Sequence, residues 1–231
     1  MRVTTNPKLI KRRSRIGMIA SLSGIAVLAV GMLASFRQQI AWVSLIALVV
    51  GFVLAQFGSY NLRRWGRSPR PDEVLEEGMK GFDDRFHFYA WTLPVPYVLL
   101  SPQGVYTLTT RDQTGEVSVS GSTWKSKFTL GRLLSMFAQE GLGNPTTDAQ
   151  GQAAKLSAWI AGKLPDLKIE AQPAIVFIDA RAQLTVDAPT VPVMDPKGIK
   201  KWLRGGSKVQ NLRSADLRAL ETLFDAEAAA K

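Results

Sequence analysis

Two stretches of the chain carry no alternation of polar and apolar positions. Ile16–Ser35 holds twenty uncharged, mostly apolar residues, and Ile40–Tyr60 holds twenty-one more, with Gln56 as the one strongly polar side chain. As helices each is about 30 Å long, enough to cross a bilayer. Only Phe36-Arg37-Gln38-Gln39 lies between them, so the two predict an antiparallel hairpin. Neither stretch has a polar face, which argues against two core helices of a water-soluble fold. The length of the first and the immediate second argue against a cleaved signal peptide.

Beyond Ser68-Pro-Arg-Pro71 the periodicity changes. Asp72–Phe82 reads as a helix with Asp72, Glu73, Glu76 and Glu77 near its positive end. His87–Leu93, Tyr97–Leu100, Val105–Thr110 and Glu116–Ser120 read as strands, the last three a meander with turns at Pro102-Gln103-Gly104 and before Gly115. Helical spacing covers Phe128–Gly141 and, after the break at Gly141–Pro145, Thr146–Lys163, with Thr147 or Asp148 as cap. Its apolar face is Ala149, Ala153, Leu156, Trp159, Ile160 and Leu164. Pro173–Ile178 is the all-apolar run of a fully buried strand, and Thr190–Met194 is a further short strand. Two helices close the chain, one from Asp195-Pro196 to Arg204 and one over Ser214–Ala228, capped by Ser214 and with Leu217, Leu220 and Phe224 inward. The class is α/β or α+β with a mixed central sheet.

Charge sharpens the division. Residues 1–70 hold eleven of the 29 Lys/Arg and none of the 19 Asp/Glu, leaving the remainder eighteen cations against nineteen acids, a net charge of −1. The +10 of the whole chain thus belongs to the flanks of the apolar stretches, a pattern of membrane topology rather than nucleic-acid binding. Five cations lie between Lys8 and Arg15, four between Arg63 and Arg70, and Arg37 alone in the turn, which predicts both termini on the cytoplasmic side of the inner membrane. Trp42, Tyr60 and Trp65 stand where interfacial aromatics would. Small residues at four-residue spacing, Ala20/Gly24 and Gly31/Ser35 in one span and Ala47/Gly51/Ala55 in the other, would let the helices approach closely. The expected division is a basic tail 1–15, spans 16–35 and 40–60, a linker 61–71, a soluble domain 72–205 and a terminal helix within 206–231.

The acidic opening helix, Ser101-Pro-Gln-Gly104-Val-Tyr-Thr-Leu before a charged turn ending at Gly115, Trp124, and Asn144-Pro145 with Gln150 before a long helix come in a telling order. In this the soluble part, over about residues 72–205, resembles the nuclease-related domain (NERD), a branch of the restriction-endonuclease-like fold. The resemblance implies a metal site built from an Asp, a Glu and a Lys. Their places are taken here by Pro96, Thr109 and Arg111. Thr supplies no charge to a hard cation, and Arg stays protonated and cannot serve as a base. The expectation is therefore a membrane-held, catalytically inactive binding or scaffolding module that needs no cofactor.

Two alternatives accompany it. An active nuclease would need a Mg²⁺ site relocated to Asp112, Glu116 and Glu73 or Glu77, although these also read as solvated turn acids and helix-start charges. An assembly protein would oligomerise through the hairpin and contact a protein partner. Lys125, Lys127 and Arg132, and Lys197, Lys200, Lys201 and Arg204, are the candidate contacts for nucleic acid or another partner, or else solvated helix faces. His87 is the sole histidine and there is no cysteine, so zinc sites and His-based triads lack parts, and no phosphate-binding glycine loop is present.

Overall fold

The computed structural model describes residues 1–126, 142–205 and 212–231. The chain divides into two compact units. Among the described residues the helical unit is Pro7–Arg70, and the globular unit is Met1–Asn6 with nearly all of the rest from Pro71.

The helical unit is a hairpin of α1 (Pro7–Ser35) and α2 (Ala41–Asn61), joined through a 3₁₀ turn at Gln38–Ile40 and followed by a π-helical turn at Leu62–Gly66. Both helices are long and apolar enough to cross a membrane. Their contact is made by absent side chains. A Cβ on Gly24 would stand 2.6 Å from the Ala55 backbone nitrogen, one on Gly58 2.4 Å from that of Ser21, and one on Gly31 2.5 Å from the Ala47 Cβ. Gly17 meets Asn61 and Leu62, and Gly51 meets Leu28, in the same way. The line on α1 is therefore Gly17, Ser21, Gly24, Leu28 and Gly31. Ala47, Gly51 and Ala55 face it as expected, whereas Ser35 is exposed and the expected Ala20/Gly24 and Gly31/Ser35 pairs do not form the seam. The phase of one helix against the other decides this, and spacing alone does not reveal it. Trp42 is exposed, but Trp65 is buried rather than lying at a surface. Lys8–Arg15, within the basic tail 1–15, are the first turns of α1.

The globular unit holds two sheets where one was expected. The larger has six strands in the order β1 (Arg2–Thr5), β2 (His87–Ala90), β3 (Tyr97–Ser101), β4 (Gly104–Arg111), β7 (Gln172–Phe177), β9 (Val193–Met194). It is mixed: β2–β3–β4 is an antiparallel meander, while β1 joins β2, β7 joins β4 and β9 joins β7 in parallel. The smaller runs β6 (Thr123–Ser126), β5 (Gly115–Ser120), β8 (Ala182–Asp187).

Helices α4 (Pro145–Lys163) and α6 (Ser214–Ala229) cover one face of the larger sheet, burying Tyr89, Val98, Leu100 and Val105 against Leu156, Ile160, Leu220 and Phe224. Phe224 meets Tyr89 edge-on at 5.4 Å between ring centroids. The last helix is thus part of the core, and the domain does not end near 205. On the reverse face Tyr106 meets Trp202 of α5 (Gly198–Gly205). Beside α5 runs α3 (Pro71–Met79), with Gly78 so close to the Pro196 carbonyl that a Cβ would stand 2.5 Å from its oxygen.

Strand β1 was not expected at all. Its Arg2 pairs with Asp225 of α6 at 2.9 Å, and the Tyr89 hydroxyl donates to the same carboxylate at 2.9 Å. Burial first, and Asp225 second, push the Tyr89 hydroxyl well above the usual tyrosine range. Both sequence flanks of the hairpin, β1 before it and α3 after it, therefore belong to one globular unit.

Candidate functional site

Strand β4 is the centre of the larger sheet. Alternation along it sends Val105, Thr107, Thr109 and Arg111 to the face covered by α4, and Tyr106 and Leu108 to the other. The last turn of the strand is fixed by Ile178, whose N–H donates to the Arg111 carbonyl at 2.8 Å. The last residue of this face, Arg111, meets a polar group at the start of α4.

Asn144 sets that start. Its side-chain oxygen accepts from the N–H groups of Thr146 (3.1 Å) and Thr147 (3.3 Å), and Pro145 follows as the first helical residue. Asn144 is thus the cap in place of the expected Thr147 or Asp148, because a cap must precede the Pro that opens the helix. Thr146 is buried and accepts from the Trp124 indole N–H at 2.8 Å, which ties β6 to the same point. Asp148, in the first turn, then reaches Arg111 and forms an ion pair with its guanidinium. The Arg111 side chain is 12% exposed and the Asp148 side chain 55%, so the cation is the sunken partner.

Along this face of β4 and on α4 lie polar atoms with no hydrogen-bond partner among the described residues: the hydroxyls of Thr107 and Thr109, the Arg111 Nε, and the Gln152 side-chain oxygen one turn beyond Asp148. Thr107 is 0% and Thr109 2% exposed. A polar seam of this kind beneath a helix is uncommon in a core, where each such hydroxyl is ordinarily matched.

Of the three positions singled out in the sequence, Thr109 and Arg111 share this face of β4, and Pro96 lies on the neighbouring segment. Pro96 directly precedes β3, and its carbonyl accepts from the Trp91 N–H at 2.8 Å to close the β2–β3 turn, in which Trp91 takes a positive φ of 65°. The pairing of β3 with β4 runs from Ser101↔Gly104 to Val98↔Thr107. The acids of the relocated-site alternative lie on three different segments. Glu77, on α3, is exposed and pairs with Lys80 just beyond that helix, and α3 lies beside α5, the helix on the reverse face; Glu73 is on α3 too. Glu116 is exposed on β5, out of phase with the buried Val117 and Val119, and Asp112 follows the end of β4. Among the described residues no three His, Cys, Asp or Glu side chains come together as a metal cage. The carboxylate that does approach is Asp148, which sequence reasoning assigned only to capping; its first-turn position, four residues before Gln152 on the flank of an apolar face, was the available signal.

The basic candidates are scattered. Lys125 is exposed on β6 opposite Ser118, and Lys127 and Arg132 lie outside the described residues. On α5, Lys197 (just before it), Lys201 and Arg204 are exposed opposite buried Ile199 and Leu203, with Lys200 half-buried, the ordinary arrangement of an amphipathic helix. His87 is buried, with its Nε2 2.8 Å from the Asp84 carbonyl and 3.8 Å from a Glu221 oxygen.

Comparison of the chain with family models, with curated proteins and with solved structures finds no match.

Proposed function

We propose that this chain is a membrane-held binding or scaffolding module built on a NERD-like, restriction-endonuclease-like domain that has lost its nuclease chemistry. The observation that carries the reading is the Arg111–Asp148 ion pair. It occupies the strand end where such a domain would hold its metal. A carboxylate bound to a guanidinium is already neutralised, and one carboxylate is too few for a hard divalent cation that takes several oxygen ligands. Thr109 on the same strand face adds a neutral hydroxyl, and Pro96 has no side-chain donor to add.

The membrane part rests on the hairpin. Its outward side chains are large and apolar along both helices, and its basic flanks support an orientation with both ends cytoplasmic and Arg37 outside. That β1 and α3 belong to the same globular unit supports the reading that both ends of the hairpin lie on one side of the membrane.

The test is cleavage of plasmid and single-stranded DNA by the full chain in detergent with Mg²⁺ or Mn²⁺. The full chain is used because β1 lies before the hairpin and completes the sheet. No metal-dependent cleavage is expected. Cleavage that is abolished by Asp148→Ala or Asp112→Ala would overturn the inactive reading.

A further inference from the structure

The hairpin is antiparallel, so the start of α1 and the end of α2 lie together. The contact is close: a Cβ on Gly66 would stand 2.9 Å from the Ser14 hydroxyl, and one on Gly17 2.9 Å from the Leu62 nitrogen. Around it stand nine cations, five between Lys8 and Arg15 and four between Arg63 and Arg70, and residues 1–70 contain no Asp or Glu. Lys8, Lys11, Arg12, Arg13, Arg15 and Arg67 are exposed, and none of the six forms an ion pair among the described residues. The last turns of apolar surface begin at once beyond them, with Met18, Ile19 and Leu22 between 51% and 62% exposed. Helix α1 starts nine residues before its apolar stretch, about 13 Å of rise, which spans the headgroup layer on that side.

From this juxtaposition we infer that the basic end of the hairpin is a binding surface for anionic phospholipid headgroups, beyond its part in setting topology. The inference rests on the membrane reading above. A phosphodiester headgroup whose acyl chains lie along Met18, Ile19 and Leu22 satisfies both halves of the surface: the cations take the phosphate and the apolar side chains take the tails. A nucleic acid would meet the same cations but leave that apolar surface uncovered. The clustering matters because two cationic segments that diverged would present separate weak fields, whereas segments held within van der Waals contact act on one lipid shell.

The experiment reconstitutes the full chain in nanodiscs of equimolar phosphatidylcholine and phosphatidylglycerol and measures which lipids stay bound in native mass spectrometry. Retained phosphatidylglycerol should exceed phosphatidylcholine by about five-fold or more. A variant with Lys11, Arg12, Arg13 and Arg15 changed to Gln should lose most of that excess. A variant with the three arginines changed to Lys should keep it, since charge rather than guanidinium geometry carries the preference. Equal retention of the two lipids, or an excess unchanged in the Gln variant, overturns the inference. Nucleic acid retained by the same cations in preference to phosphatidylglycerol also overturns it. Alkaline carbonate extraction of cell membranes separates the two levels: release of the chain removes the membrane reading and this inference together, whereas a chain that resists extraction but retains both lipids equally removes this inference alone.

Discussion

The hairpin and the globular unit are packed by opposite rules. Between the two helices of the hairpin the buried positions are small ones, Gly17, Gly24, Gly31, Ala34, Ala47, Gly51 and Gly58, with Asn61 buried at the end of α2 and Trp65 beyond it, while Phe57, Val53, Leu48 and Leu22 are 48–62% exposed. In the globular unit Tyr89, Tyr97, Tyr106, Phe88, Phe177 and Phe224 are less than 2% exposed, and among its described residues Val186 alone is a large exposed hydrophobic. One sequence thus spends its large apolar side chains on the outside of one unit and on the inside of the other. In water the first arrangement would be unstable, since each exposed side chain of this size forgoes about 1.5–3 kcal/mol of burial. In lipid there is no such gain from burying Leu against Leu, and close backbone approach through small residues becomes the main attraction. The inversion is the pattern expected of a chain folded in two solvents.

The comparison can be broken most sharply with one substitution made in both units. Phe224→Ala should cost the globular unit about 3–5 kcal/mol, because a closed core cannot refill the space. Phe57→Ala should change the stability of the hairpin by no more than about 0.5 kcal/mol, as for any surface position. Thermal unfolding of the full chain in detergent, followed by tryptophan fluorescence, reads both; equal losses would contradict the division.

The next effect has the reverse sense. Gly24→Leu drives a side chain into the Ala55 backbone and should cost about 1–3 kcal/mol or more. Gly162→Ala on α4, where a Cβ meets nothing within 4 Å, should instead stabilise by about 0.5–1 kcal/mol through helix propensity. The same unfolding curves report both glycines, and a destabilising Gly162→Ala would show that α4 is not packed as described.

Within the polar seam, Asp148→Ala should cost about 1–3 kcal/mol by leaving the sunken Arg111 without its carboxylate. Adding Arg111→Met should recover part of the loss, because the isolated cation is the destabilising species. A double variant less stable than Asp148→Ala would mean that Arg111 has another anchor.

The smallest effect is set by pH. The Tyr89 hydroxyl is held above its ordinary value by burial and by its hydrogen bond to Asp225. The unfolded chain therefore ionises first as pH rises, so this contribution is whole below about pH 10 and is lost above it, by about 1 kcal/mol at pH 11. Tyr89→Phe should flatten the alkaline limb of a stability–pH curve while lowering its neutral plateau by about 0.5–1.5 kcal/mol for the lost hydrogen bond. An unchanged alkaline slope would assign the limb to other groups.

Much of this architecture could be read in the sequence where local chemistry decides it. Pro102-Gln103-Gly104 and Gly115 bracket β4 closely, and the apolar run from Pro173 marks a strand buried on both faces. What could not be read is non-local. Arg2–Thr5 is four residues with one aliphatic side chain, too short to show alternation despite the Asn6-Pro7 turn signal after it, and its partner begins at His87, on the far side of the hairpin in sequence. Strands β6 and β8 show polar residues outward and contribute only part of one face to a core, so their periodicity is faint. At the seam, Thr109 and Arg111 were legible as a pair two residues apart on one strand face. Asp148 was not, because its meeting with Arg111 depends on how α4 crosses the sheet and on the cap at Asn144 that fixes where the helix starts.

The most direct test of the two-solvent account uses the absence of cysteine from the chain. Single cysteines placed by Gln39→Cys in the hairpin turn and by Ser122→Cys in the globular unit can be probed with a membrane-impermeant maleimide. The account predicts that in intact cells the label reaches residue 39 and not residue 122, and that residue 122 reacts once the membrane is opened. Labelling of both positions in intact cells, or of neither until lysis, would contradict it.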